Sequence, residues 1–121
     1  MPQDVCLDAN VFVSALLPEP LHDRALSLVD RLQAAGLVFF EPGLVIFEVI
    51  SVLYRKSVLG EIKAERLEQA TSLFAQFPLL IEWPPGVLVA TSKWAERLKM
   101  RNAYDASYLA VAETRGVPFV T

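Results

Sequence analysis

Hydrophobic and polar positions follow two rhythms along the chain. Short, mainly apolar runs at Val5-Cys6-Leu7, Leu37 to Phe40, Leu79 to Glu82 and Val117 to Thr121 read as buried strands. Between them lie longer segments with helical spacing. Asn10 to Leu17 is a short helix stopped by Pro18-Glu19-Pro20, because proline removes a donor and restricts the residue before it. In Leu21 to Ala35 the apolar Leu21, Ala25, Leu28, Val29 and Leu32 recur at helical intervals among Asp23, Arg24, Asp30 and Arg31, with Gly36 as the stop. Leu44 to Lys56 is apolar on nearly every side and predicts a buried helix, interrupted by Glu48. Glu61 to Phe77 and Val87 to Met100 predict two more helices, separated by a strand and the turn Trp83-Pro84-Pro85-Gly86. A last helix starts near Asp105 and ends at Arg115-Gly116. Strands alternating with helices predict an α/β domain with a mostly parallel sheet covered on both faces.

Composition bounds this picture. The 121 residues suit one domain, and the chain carries no repeat or interdomain linker. A hydrophobic fraction of 54% hints that a partner covers some of the surface. With 14 acids against 11 Lys and Arg the net charge is −3, so a nucleic-acid partner needs a local basic patch. Lys93, Arg97, Lys99 and Arg101, with Trp94 among them, form the best such patch, although a solvated helix face explains it as well. The single Cys6 reads as a small buried hydrophobe and fits a reducing compartment. Met1-Pro2-Gln3-Asp4 lacks the basic segment of a secretory leader, and no apolar run is long enough to span a bilayer, so a cytoplasmic protein without membrane association is expected.

Missing residue types exclude several chemistries. The only histidine, His22, is expected to be exposed in the first turn of a surface helix, which disfavours a histidine triad or a His-rich zinc site. Neither GxGxxG nor GxxxxGK[ST] occurs, so no dinucleotide or Walker phosphate loop is supported. Carboxylates remain. Asp8 ends the first strand, at the edge of a parallel sheet where ligands bind. Glu48 interrupts the apolar helix and shares a stripe with Ser51 and Arg55; Asp105 opens the last helix. Each has a bland explanation alone, as a solvent-face residue or a helix cap. Gathered at ~5 Å, each pair would repel by roughly 3 kcal/mol at an effective dielectric of about 20. A divalent cation reverses that sign, and hard oxygen ligands suit Mg²⁺ or Mn²⁺.

In this order and spacing, LDANVFVSALL, FEVISVL around Glu48 and NAYDASYLAVAETRGVPFVT around Asp105 resemble the PIN domains, in particular the VapC-type toxins of bacterial toxin–antitoxin pairs. The resemblance covers nearly the whole chain. It implies a single PIN-like domain over residues 1–121, a three-layer α/β/α fold with a central, mostly parallel sheet, and a metal-dependent endoribonuclease. Asp8, Glu48 and Asp105 match the family's first three acids, implying metal ligation by Mg²⁺ or Mn²⁺ at these positions. Asn10 matches the polar position two residues after the first acid, and Ser14 a polar position lining some sites; both imply water or phosphate positioning. Implied partners are an RNA substrate, a cognate antitoxin and a second copy in a homodimer. Thr121 matches a threonine after which the family often carries a fourth acid two residues on, which implies either a longer natural chain or a site with three acids.

Other readings compete. Haloacid dehalogenase-type phosphatases begin strand-Asp-x-Asp, but Asn10 stands at the second position and an amide cannot act as general acid. A receiver domain needs an acid pair and a late lysine that are not evident. The rival from another class is a catalytically impaired PIN-like module that binds RNA or a protein without cleavage.

Overall fold

The computed structural model describes residues 4–82 and 85–121; the reading of Met1 to Gln3 and the turn at Trp83-Pro84 lie outside the described residues. The chain starts with β1 (Cys6–Leu7), α1 (Ala9–Leu16), α2 (His22–Ala34) and β2 (Phe39–Glu41). It continues with α3 (Leu44–Val58), α4 (Ala64–Phe74), β3 (Leu79–Ile81), α5 (Pro85–Arg97), α6 (Ala106–Arg115) and β4 (Phe119–Val120). β1 pairs with β4 and β2 with β3, both parallel, and the parallel bridge Val5–Phe39 joins the pairs in the order β4-β1-β2-β3. Every strand therefore delivers its carboxyl end to one edge of the sheet. α1 to α4 pack among themselves, while α5 packs on α6 and α6 lies against β1, β2 and β4. This is the predicted three-layer α/β/α architecture.

The core is aromatic at its centre. Phe12 of α1 meets Phe39 of β2 and Phe74 of α4 edge-on, at ring-centroid distances of 5.6 and 5.4 Å, and Phe77 closes the group at 5.8 Å. Such arrangements suit the aromatic quadrupole and add about 0.5–1.5 kcal/mol per pair beyond area burial. On the other side Arg115 of α6 donates to Glu82 at 2.6 Å and lies over the Phe40 ring at 5.0 Å, tying α6 to the ends of β2 and β3. α6 stops at Gly116, whose φ of +65° favours glycine, and the chain turns directly into β4.

The long apolar helix departs from its expected burial. Val45, Val49 and Leu53 of α3 are fully buried, but Ile46, Ile50, Tyr54 and Val58 recur every four residues on an exposed stripe, joined by Phe47 at 70% exposure. The physical reason is coverage: α1 and α4 pack on α3, and the described residues leave its other side open.

Candidate active site

Asp8 stands at the junction of β1 and α1. Its N–H donates to the Val120 carbonyl at 2.8 Å, which fixes its backbone against β4. It occupies the N-cap position of α1 with extended ψ, yet its carboxylate makes no capping hydrogen bond. Instead Oδ2 accepts the Thr121 hydroxyl at 2.8 Å. The side chain is thus held toward the carboxyl edge of the sheet rather than folded back on its own helix.

Asp105 repeats the pattern. It is the N-cap residue of α6, makes no side-chain cap and is exposed. Both acids sit where the positive end of a helix dipole favours an anion. Glu48, in the second turn of α3, is half-buried and accepts the Tyr108 hydroxyl of α6 at 3.2 Å. Burial pushes the Glu48 carboxyl above its ordinary range, the Tyr108 hydrogen bond opposes this, and repulsion from Asp105 and Asp8 adds to it. Glu48 therefore lies within the field of both Asp105 and Asp8. Burial, and then the neighbouring Glu48 charge, push the Tyr108 hydroxyl upward, so it stays a protonated donor. Among the described residues no group of three His, Cys, Asp or Glu side chains is arranged to hold a metal ion as it stands.

One acid escaped the sequence reading. Glu41 ends β2 and is fully buried. The β1–β2 ladder begins with Phe40 N–H to the Val5 carbonyl at 2.9 Å, but Pro42 has no N–H to continue it. On the acceptor side the Glu41 carboxyl closes the ladder, Oε2 accepting Leu7 N–H at 2.6 Å one residue before Asp8, while Oε1 has no partner. Burial raises the Glu41 pKa from 4.5 to about 9, with Asp8 adding repulsion, so Glu41 is neutral at pH 7 and adds no fourth charge. The available signal was its place at the end of the strand beside Asp8, which Pro42-Gly43 disguises as a turn.

The remaining candidates lie on α1, on α5 and on the segment between α5 and α6. Asn10 is exposed in the first turn of α1. Ser14 donates to Glu19 Oε2 at 3.1 Å and, with Asn10, lines a cavity between α1 and α2. His22 is half-buried rather than simply exposed, because Nδ1 hydrogen bonds to the Ser14 carbonyl at 2.8 Å. Lys93, Arg97, Lys99 and Arg101 are all exposed, on α5 and on the segment leading to Asp105. Arg97 stacks over Trp94 at 4.7 Å. Lys99 takes the left-handed conformation, φ +53°, that ends α5.

The fold is a three-layer α/β domain with a parallel sheet, and Asp8 stands at the carboxyl edge of that sheet. Residues 5–121 match the family profile of the PIN domain, and the chain belongs to the PIN domain family. Among solved structures its fold is similar to the crystal structure of VapC20 of Mycobacterium tuberculosis, a sarcin-ricin loop cleaving toxin, with a TM-score of 0.67 over 94% of this chain and 85% of that one. Identity is 18%, so the likeness is one of fold. No curated protein matches the sequence.

Proposed function

We propose that this protein is a metal-dependent endoribonuclease of the VapC type, the toxin of a toxin–antitoxin pair. What supports the reading is that Asp8 and Asp105 stand at helix N-termini without capping them, and that Glu48 feels the charge of both. Membership in the PIN family supports the nuclease class.

The donor set suits a hard divalent cation such as Mg²⁺ or Mn²⁺. The repulsion felt by Glu48 is of the kind a cation relieves. Mg²⁺ keeps several waters and needs only one or two protein carboxylates, so a closed cage of three is not required. Asp8, Glu48 and Asp105 would hold it. The cation would supply Lewis acidity toward the phosphodiester and a lowered pKa for the attacking water. The chain's own groups do the positioning. Thr121 orients Asp8, and Tyr108 orients Glu48. Asn10 offers an exposed amide for a phosphate oxygen or water, with Ser14 one turn further along. Lys93, Arg97, Lys99 and Arg101 give the flanking RNA phosphates a cationic path.

As the resemblance implies, a cognate antitoxin presents a basic residue to these acids. The exposed α3 stripe supports a homodimer, and a cytoplasmic setting follows from the RNA substrate.

The test is cleavage of single-stranded oligoribonucleotides with and without Mg²⁺ or Mn²⁺. Asp8→Asn and Asp105→Asn each lower the rate at least about 100-fold, the scale of losing a charge partner of the transition state. Because Asp105 caps nothing and is exposed, Asp105→Asn leaves thermal stability within about 0.5 kcal/mol. Undiminished cleavage in either variant, or in chelator, overturns the mechanism. Binding of RNA by the wild-type protein without metal-dependent cleavage would identify a non-cleaving module instead.

A further inference from the structure

A cavity of about 340 Å³ opens between the start of α3, α5 and the segment that leads into α6. Its wall draws on Pro42 after β2 and Glu82 after β3, on the far side of β1 from β4. Val87 is buried in that wall, while Phe47 and Tyr104 also line it and are 70% and 65% exposed. Each aromatic is the chain neighbour of an acid already assigned to the site: Phe47 precedes Glu48, and Tyr104 precedes Asp105. Of the exposed apolar residues of α3, Phe47 lines this cavity and Ile46, Ile50, Tyr54 and Val58 do not.

The polar groups around the cavity are already engaged. Thr91 donates to the Val87 carbonyl and Ser107 to the Tyr104 carbonyl, both at 2.7 Å, and Glu82 is paired with Arg115 at 2.6 Å. The backbone of Tyr104 is held as well, its N–H donating to Asn102 Oδ1 at 3.2 Å.

We propose that this cavity seats one unstacked nucleobase of single-stranded RNA against Phe47 and Tyr104, next to the phosphodiester that Glu48 and Asp105 would serve; the setting rests on the nuclease reading. Three observations favour a base. The volume stands at the lower end of the roughly 300–1,000 Å³ of ordinary ligand pockets, which suits a single planar ring system. Exposed aromatic rings are the platforms on which unpaired bases stack. Lys99 and Arg101, exposed and without a salt bridge among the described residues, lead along the chain to Tyr104 and complement the phosphates flanking such a base. An inserted peptide fits less well. Its backbone N–H and C=O groups would need partners that the engaged hydroxyls and the paired carboxylate do not supply, whereas a stacked base keeps its edge in water.

Binding is measured apart from cleavage, by fluorescence anisotropy of a labelled short oligoribonucleotide in chelator. Wild type binds the same strand with abasic sugars at least about tenfold more weakly, or ~1.4 kcal/mol. Phe47→Leu and Tyr104→Leu, at exposed positions, keep apolar surface and lose the ring. Each weakens the intact strand about tenfold and leaves the abasic strand unaffected. Phe47→Tyr and Tyr104→Phe keep the ring and bind like wild type. The inference is overturned if wild type binds intact and abasic strands equally, or if either leucine variant binds the intact strand like wild type, which leaves the cavity to a protein segment. Hydrolysis with Mg²⁺ or Mn²⁺ is read separately. Ring-dependent binding without hydrolysis would overturn the nuclease reading and leave this inference standing, and hydrolysis with unchanged binding in the leucine variants would do the reverse.

Discussion

Asp8 and Asp105 stand where helix caps stand, and neither caps its helix. A capping side chain contributes about 1 kcal/mol, so both positions forgo stability that aspartate is well suited to supply. Glu41 forgoes more, being a buried acid with one oxygen unpartnered. Its pKa of about 9 in the fold, against an ordinary 4.5, fixes the sign of its effect. Below the lower value both folded and unfolded chains hold the proton. Between the two the unfolded chain has released it and the folded chain keeps it, so stability falls as pH rises, by at most about 1.4 kcal/mol per pH unit, and the contribution is gone above the upper value. Glu41→Gln keeps an acceptor for Leu7 N–H without a titrating group. Denaturant melts from pH 5.5 to 8.5 then show a flatter profile for the variant than for wild type, with the variant the more stable at the alkaline end. Parallel profiles would show that Glu41 is already ionised in the fold.

At the scale of the element, α3 carries two apolar rows. Val45, Val49 and Leu53 reach the core; Ile46, Ile50, Tyr54 and Val58 form the next row and face outward. Hydropathy registers that a position is apolar, not which neighbour covers it, so a helix apolar all round reads as wholly buried. The proposed homodimer gives the outer row its cover. Ile50→Glu with Val58→Glu places a charge on two turns of that row and leaves the inner one untouched. Light scattering on a sizing column is expected to report about twice the 13.4 kDa chain mass for wild type and the single mass for the variant. A monomeric wild type would remove this use of the helix. The same limit separates what was legible from what was not. Asp8 and Asp105 could be located because a strand end or a helix start is a positional signal. Glu48 could be located because a carboxylate breaks an otherwise apolar run. Glu41 was hidden, since Glu-Pro-Gly after a strand looks like a solvated turn, and only the register against β1 brings its carboxyl to Leu7 N–H. His22 was misread for a similar reason: its partner, the Ser14 carbonyl, is a backbone atom that no composition reveals.

The molecule as a whole is anionic, with a net charge of −3, and yet its proposed substrate is a polyanion. Screening resolves the conflict. At physiological ionic strength the Debye length is about 8 Å, so a phosphate responds to charges within a side chain's reach rather than to the sum over the surface. The bases on α5 and beyond it, from Lys93 to Arg101, lie on the segment that runs into Asp105 and α6. RNA drawn along that path would arrive at the acids with its charge locally neutralised. If so, affinity should fall with salt, and each phosphate contact removed should flatten the logarithmic slope by about 0.7 for a single strand. Lys93→Ala with Lys99→Gly tests two of these contacts, glycine being chosen at Lys99 because its φ of +53° costs glycine nothing. The expected outcome is a salt slope shallower by about 1.4 and a raised KM, with kcat little changed, since neither lysine touches the three carboxylates. An unchanged slope would mean that these two lysines of α5 and its C-terminal extension present only a solvated face.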